Sequence, residues 1–529
     1  MRPNRPLVPP GLRRAVPLTA AAVGIVLLAG CTSGTTPAAS GSSEPVSGGS
    51  ITFARLSQDV TSLDPHDAVL TTINAYTLDK IFDTLYALDT DGIPQPSLAT
   101  SYEVSDDGLT WTFLLRDGVT FSDGSDFTAD DVVYSIERHL ELGGALPLSA
   151  PVTDVVATDD LTVEIHLSEP YTPLLSELSV FSSSILPSEL ADQDAATFFA
   201  DPVGTGPFVV GEWDKASGDF ALARNDDYRE EGLPYLDEVR LVALDDDNQL
   251  VQQLQGGQAQ IIDDVPIAGV EELQGNGDVT VQTVPSWNSD VLYFNTASDV
   301  FSDDAVRRAV GQAIDRDALV AATTFGTATS ARTYISTSIQ YSDQSVDALA
   351  YDPDAAADEL AASDHADGAT VTLTVDGGSQ ARTQQAQIIQ SALEEIGITV
   401  EIKNVDNATF WTEFPAGEYD FALTTTIADT GDPDNVSTWQ VYGDKDGGAF
   451  NTRYDNAEVN DLVLKGRTTP DGDDRTAIYA QLQEIIAQDV PQFSLAYVAE
   501  IKATSASVHG LELIPNGTVR LERTWIDSE

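Results

Sequence analysis

Apolar residues in this chain recur at two spacings, every second residue or every third and fourth, and the changes between them mark its elements. Ile51 to Leu56 reads as a first strand, and Ile73, Tyr76, Leu78, Ile81, Phe82 and Leu85 predict a helix over about 73–85. Thr110 to Leu115 alternates around Trp111 and Phe113, and Leu161, Val163, Ile165 and Leu167 alternate with Thr162, Glu164 and His166, giving two half-buried strands. Between them Thr128 can cap a helix over Ala129 to Leu140, with Asp130 and Asp131 in its first turn. A short helix is expected from Gln249 to Leu254. Ser302 can cap another, whose apolar face is Val306, Ala309, Val310, Ala313 and Ile314. Val371, Leu373 and Val375, a helix over 384–396 closed by Gly397, then Ile398, Val400 and Ile402 make a βαβ unit. The fold class is therefore α/β.

One apolar run fits neither spacing. Ala20 to Ala29 is apolar apart from Gly24 and follows Arg2, Arg5, Arg13 and Arg14 with no acid among them, the pattern of a signal peptide and too short for a permanent span. It ends in Leu28-Ala29-Gly30-Cys31. Small residues directly before a cysteine resemble the lipobox of bacterial lipoproteins, which implies cleavage before Cys31 and lipid on its sulfur. An ordinary secretory signal is the alternative, but Cys31 is the sole cysteine of the chain. Residues up to 49 are Ser, Thr, Gly, Pro and Ala with little to bury, and read as a tether.

Composition narrows the body further. At 529 residues and 42% hydrophobic content the chain is globular and too long for a single core, so two or three packed domains are expected. It carries 26 Lys and Arg against 85 Asp and Glu, a formal net charge of −59. That field disfavours nucleic acid and anionic membrane surfaces, favours cations and keeps the chain soluble. No Gly-x-Ser-x-Gly elbow, His-Glu-x-x-His helix or Gly-Lys phosphate loop occurs, and the five histidines, 66, 139, 166, 365 and 509, stand singly. No catalytic residue, cofactor or metal site is expected. Asp245-Asp246-Asp247 lacks calcium-loop spacing and reads as a solvated turn.

Longer motifs carry a family resemblance. Ser105-Asp106-Asp107-Gly108-Leu109-Thr110-Trp111-Thr112-Phe113, Leu115-Arg116-Asp117-Gly118-Val119-Thr120-Phe121-Ser122-Asp123-Gly124 and Thr128-Ala129-Asp130-Asp131-Val132 resemble the signature region of family 5 extracellular solute-binding proteins, the peptide and nickel binders of ABC importers. Val203-Gly204-Thr205-Gly206-Pro207-Phe208, Tyr293-Phe294-Asn295-Thr296 and Tyr351-Asp352-Pro353 continue it in order. Such residues supply turns and packing, and identify the fold without touching a ligand. The resemblance implies a two-lobed periplasmic-binding-protein-like fold of the large, hinged type with an inserted domain. The expected divisions are a lipoprotein signal peptide at 1–30, a tether at 31–49, first-lobe segments at 50–92, 200–295 and 496–529, the inserted domain at 93–199 and the second lobe at 296–495. The implied protein is a monomer that captures a short peptide outside the cytoplasmic membrane and hands it to permease subunits, held to the membrane by lipidated Cys31.

Within that resemblance Ala428-Asp429-Thr430-Gly431-Asp432-Pro433-Asp434-Asn435 matches the segment whose aspartate pairs with a peptide's α-ammonium group, and the match falls on Asp429. Burying such a positive end without a counter-charge would cost several kcal/mol. Many members have Gly-Trp before this loop where this chain has Thr425-Thr426, so an aromatic wall must come from elsewhere, with Trp287, Trp411 and Trp439 as candidates. Arg382, near a helix start, is the candidate for receiving a peptide carboxylate. A nickel chelate, an opine-like or a sugar-derived compound is the alternative ligand within the family. An exported hydrolase or an adhesive lipoprotein is the alternative outside it.

Overall fold

A computed structural model describes residues 44–527 except 57–59, 69–71, 216–218, 245, 264, 347–348, 378 and 444–448. Cys31, with the whole signal segment and most of the tether, lies outside the described residues.

The signature region folds as a small sheet under one helix. Four antiparallel strands lie in the order Ala99–Val104, Thr110–Leu115, Thr162–Leu167 and Val152–Asp159. Phe113, Val163 and Ile165 are fully buried on one face and pack with Val132 and Ile136 of the helix Ala129–Leu142. Aspartates of the motif act on backbone: Asp107 accepts the Leu109 N–H at 3.1 Å and Asp123 the Ser125 N–H at 3.0 Å. Asp131 accepts the Thr128 N–H and the Ser188 N–H at 2.8 Å each, tying the helix start to a loop almost sixty residues later.

The main sheet draws strands from both early and late in the chain. Its strands run in the order Ile398–Val405, Ala369–Asp376, Phe421–Thr426, Val279–Phe294, Gln492–Ser505, Ile261–Ile262, Ser50–Leu56, Glu238–Leu244, Asp219–Arg224 and Phe208–Asp214. The expected βαβ unit is present, with Ala369–Asp376 parallel to Ile398–Val405 and the helix Gln380–Glu395 between them. At the centre, Val279–Phe294 and Gln492–Ser505 pair antiparallel along nearly their whole length, and their register slips between Pro285 and Ser289. On one side of the slip they border Ile261–Ile262, and on the other Phe421–Thr426. Position 295 lies just past the end of the first long strand, and 495–496 lies inside the second.

Several elements differ in their ends from the pattern, each for a local reason. The first helix is Thr72–Ile81 and stops short of 85, because the Gly206 N–H takes the Ile81 carbonyl at 2.9 Å. A Cβ on Gly206 would lie 2.6 Å from that carbonyl, and one on Gly204 2.1 Å, which is why the Gly204-Thr205-Gly206 motif can seat the helix end. Asp303, not Ser302, caps the helix Asp304–Ala313 by accepting the Ala305 N–H at 2.9 Å, while the Ser302 hydroxyl turns back to the Asp299 carbonyl. Asp246 caps the helix Asp247–Gln255.

Candidate functional site

A cavity of about 350 Å³ opens between two sets of walls. One carries Tyr76, Leu146, Phe181 and Asn516. The other is built where the strand Phe421–Thr426 runs out into the loop carrying Asp429. Ile427 faces the space with 59% of its surface exposed, and Ala428 is fully buried, so the backbone is pinned one residue before the carboxylate.

Asp429 is partly buried on this wall. Its N–H donates to Asn435 Oδ1 at 3.0 Å, and its carboxylate takes a hydrogen bond from the Asn435 side chain. Among the described residues no basic side chain forms an ion pair with it. Burial therefore dominates and pushes its pKa up to about 6, the Asn435 contact pulling the other way. The site is a carboxylate short of a cation.

Its neighbours in the loop are already matched. Asp432 meets Arg475 through both oxygens at 2.8 Å, and Arg475, wholly buried, also donates to Asp471 and the Gly466 carbonyl. Asp432 also accepts the Asp434 N–H at 2.8 Å, capping the helix Pro433–Gln440. Asp434 takes Arg467 Nε at 3.1 and 3.3 Å; burial raises its pKa to about 6 while Arg467 lowers it.

The tryptophans separate into two classes. Trp411, on the helix Asn407–Ala416, is 40% exposed, and Trp439 is 52% exposed; both line the cavity, and Phe450 packs edge-on to Trp411 at 5.9 Å. Trp287 is 1% exposed and belongs to the core behind the loop. Its ring fills space that two glycines leave, since a Cβ on Gly92 or Gly431 would come within 2.6 or 2.9 Å of Trp287 Cζ2. Trp287 therefore supports the Asp429 loop from beneath and offers no face to a ligand.

Arg382 has other partners than a ligand carboxylate. Its Nε donates to the Asp376 carbonyl at 3.0 Å, Nη1 to the Thr425 hydroxyl at 2.9 Å, and Nη2 lies 3.3 Å from the Asp376 carboxylate. It lines a different cavity, of about 230 Å³, with Asp263, Asp290 and Glu500, and that space shares only Thr425 with the Asp429 cavity. The helix start expected to receive an anion is thus ringed by carboxylates.

Histidines pack singly or in pairs: His66 stacks on His139 at 4.7 Å and faces Arg138 and the Ser182 carbonyl, and burial lowers its pKa to about 3. Among the described residues no three His, Cys, Asp or Glu side chains come together as a metal site. The walls that the sequence pattern missed are Tyr76, Leu146, Phe181, Phe450, Asn516 and Thr518, drawn from segments hundreds of residues apart, with no local signal to mark them.

Known proteins place this architecture. The chain is 28% identical over 480 residues to the glutathione-binding protein GsiB of Escherichia coli (strain K12), covering 86% of this chain and 90% of that one. Its structure is similar to that of the ABC transporter-associated periplasmic binding protein DppA from Helicobacter pylori in complex with peptide STSA, with a TM-score of 0.78, 26% identity, 91% of this chain and 99% of that chain covered. It is equally similar to the PBP AgaA of A. tumefacien R10 in complex with agropinic acid, at a TM-score of 0.77, 28% identity and the same coverage. The model of bacterial extracellular solute-binding proteins, family 5 Middle, matches residues 94–448, two thirds of the chain. The chain belongs to the family 5 extracellular solute-binding proteins, and is a non-catalytic, extracytoplasmic substrate-binding protein of the ABC-importer type.

Proposed function

We propose that the protein captures short peptides outside the cytoplasmic membrane, with Asp429 holding the free amino end, and delivers them to the permease subunits of an importer. The observation that supports this reading is the cation-free carboxylate on the cavity wall, with its pKa raised to about 6 by burial. An ammonium group placed against it forms a charge-assisted hydrogen bond that offsets the desolvation of both groups. Trp411 and Trp439 then cover apolar side chains of the peptide. Closure of the lobes is a population shift, driven by contacts that exist only when both walls touch the ligand. A peptide-bound relative at 26% identity agrees with the reading, and an agropinic acid-bound relative at 28% gives the second one, a non-peptide solute.

Native mass spectrometry of the protein purified without denaturation separates these. A ladder of short peptide masses released on activation is the expected result, and a single non-peptide mass moves the ligand to the second class. The same proposal includes the anchor: Cys31→Ser is expected to release the protein from the membrane fraction or leave it unprocessed, and unchanged lipid labelling would remove the anchor.

A further inference from the structure

Among the described residues that line it, the Asp429 cavity carries a single charge. Among the described residues that line it there is no Arg, Lys or His, and its other titratable group, the Tyr76 phenol, donates to the Asn516 carbonyl at 2.9 Å. The remaining surface is largely apolar, and Trp411, Ile427 and Trp439 are among the few large apolar side chains that the protein leaves exposed.

The spaces next to it offer an anion nothing either. A recess of about 90 Å³ opens off the same wall, sharing Ala75, Phe181 and Asn516, and holds Lys80 and Arg520. Lys80 is paired with Asp79, Arg520 with Glu522 at 2.6 Å, and Asp83, which also faces the recess, with Arg229, so every cation there is already matched. On the other side, beyond Thr425, Arg382 is already paired with Asp376, Lys502 is shared by Asp263 and Glu500, and Asp290 stands beside them. A ligand carboxylate brought into any of these three spaces meets carboxylates and, among the described residues, gains no basic side chain that is not already ion-paired. An ammonium group gains Asp429, and an apolar cation gains the aromatic faces as well.

We infer that the ligand presents an amine and an apolar body to this cavity and no carboxylate: an amine-terminated molecule whose acidic end is blocked, absent or far enough along the chain to lie outside. This rests on the amine-holding role proposed above for Asp429. It sets this chain apart from a binder of small, acid-rich molecules such as glutathione, the ligand in the name of its Escherichia coli relative. Apolar peptides longer than the cavity, peptide amides and arylalkylamines share the required chemistry.

The test is isothermal titration calorimetry at pH 7.5 on the purified full chain after exhaustive dialysis, with four probes: leucyl-leucine amide, leucyl-leucine, glutathione and 2-phenylethylamine. Leucyl-leucine amide is expected to bind at least fivefold more tightly than leucyl-leucine, with glutathione the weakest. An amide advantage below fivefold, or glutathione equal to the amide, overturns the inference while the peptide reading stands. Binding of 2-phenylethylamine with neither leucyl-leucine form bound overturns the peptide reading and keeps the inference. Binding by none of the four overturns both. Arg382→Gln adds an independent arm: it is expected to leave the amide-to-acid ratio unchanged, and a selective loss of leucyl-leucine would show that a carboxylate is received after all.

Discussion

Asp429 and Asp432 stand three residues apart in one loop, and their circumstances are opposite. Asp432 has both oxygens on a wholly buried guanidinium and caps a helix, so its charge is balanced within the protein. Asp429 faces a cavity with only an amide for company. A carboxylate that the fold has matched holds the loop in place, and one that the fold has left unmatched is available to a ligand. The first makes the second possible, since an unmatched, partly buried carboxylate keeps its position only on a rigid support. Trp287 below Gly431 completes that support.

The largest effects are expected on the matched side. Asp432→Ala or Arg475→Ala leaves a buried charge without its partner and is expected to lower unfolding stability by about 3–5 kcal/mol, measured by urea denaturation. A loss below about 1 kcal/mol would mean that the pair does not hold the loop.

Asp429→Asn is expected to invert that pattern. Affinity for a free-amine peptide should fall at least tenfold while that for the N-acetylated peptide stays level, and equal losses for both would end the proposed role. Stability of the unliganded protein should stay level or rise. The folded pKa of about 6 lies above the ordinary carboxylate value of about 4, so the ionised group costs stability above pH 6 and the cost fades as pH falls from 6 towards 4.

The same titration appears in binding. An ammonium partner pulls the pKa of Asp429 down in the complex, so affinity is full above pH 6 and should decline by up to about tenfold per pH unit below it. Titrations at pH 7.5, 6 and 5 check this. The slope should flatten in Asp429→Asn, and an unchanged slope there would assign the effect to another group. The smallest effect belongs to the aromatic wall: Trp439→Ala, half exposed, should weaken apolar ligands by roughly threefold to tenfold with little change in melting temperature. Trp287→Ala, by contrast, removes a core side chain and should act on stability.

Much of the scaffold is local in origin and could be read from residue spacing. Alternation around Phe113 and Val163, the cap region at Thr128, and the βαβ unit with Gly397 all depend on neighbours within a few positions. The motif singles out Asp429, and the structure places that residue on the cavity wall. Arg382 was misplaced because its helix start was readable while its partners were not: Asp376 and Thr425 reach it through strand pairing between separate segments. The contrast between Trp287 and Trp439 was equally hidden, since it depends on two glycines, Gly92 and Gly431, distant in sequence, that make room for one ring. Helix ends failed where a distant residue intervened, as Gly206 does at Ile81.

The place of Gln492–Ser505 in the main sheet bears on how the chain reaches its working compartment. This strand lies between Val279–Phe294 and Ile261–Ile262, so the sheet stays in two halves until it has been synthesised, some two hundred residues after both neighbours. Contacts of such long sequence separation form slowly. For a protein that works beyond the cytoplasm, an element that arrives last and joins both halves delays completion of the fold during synthesis.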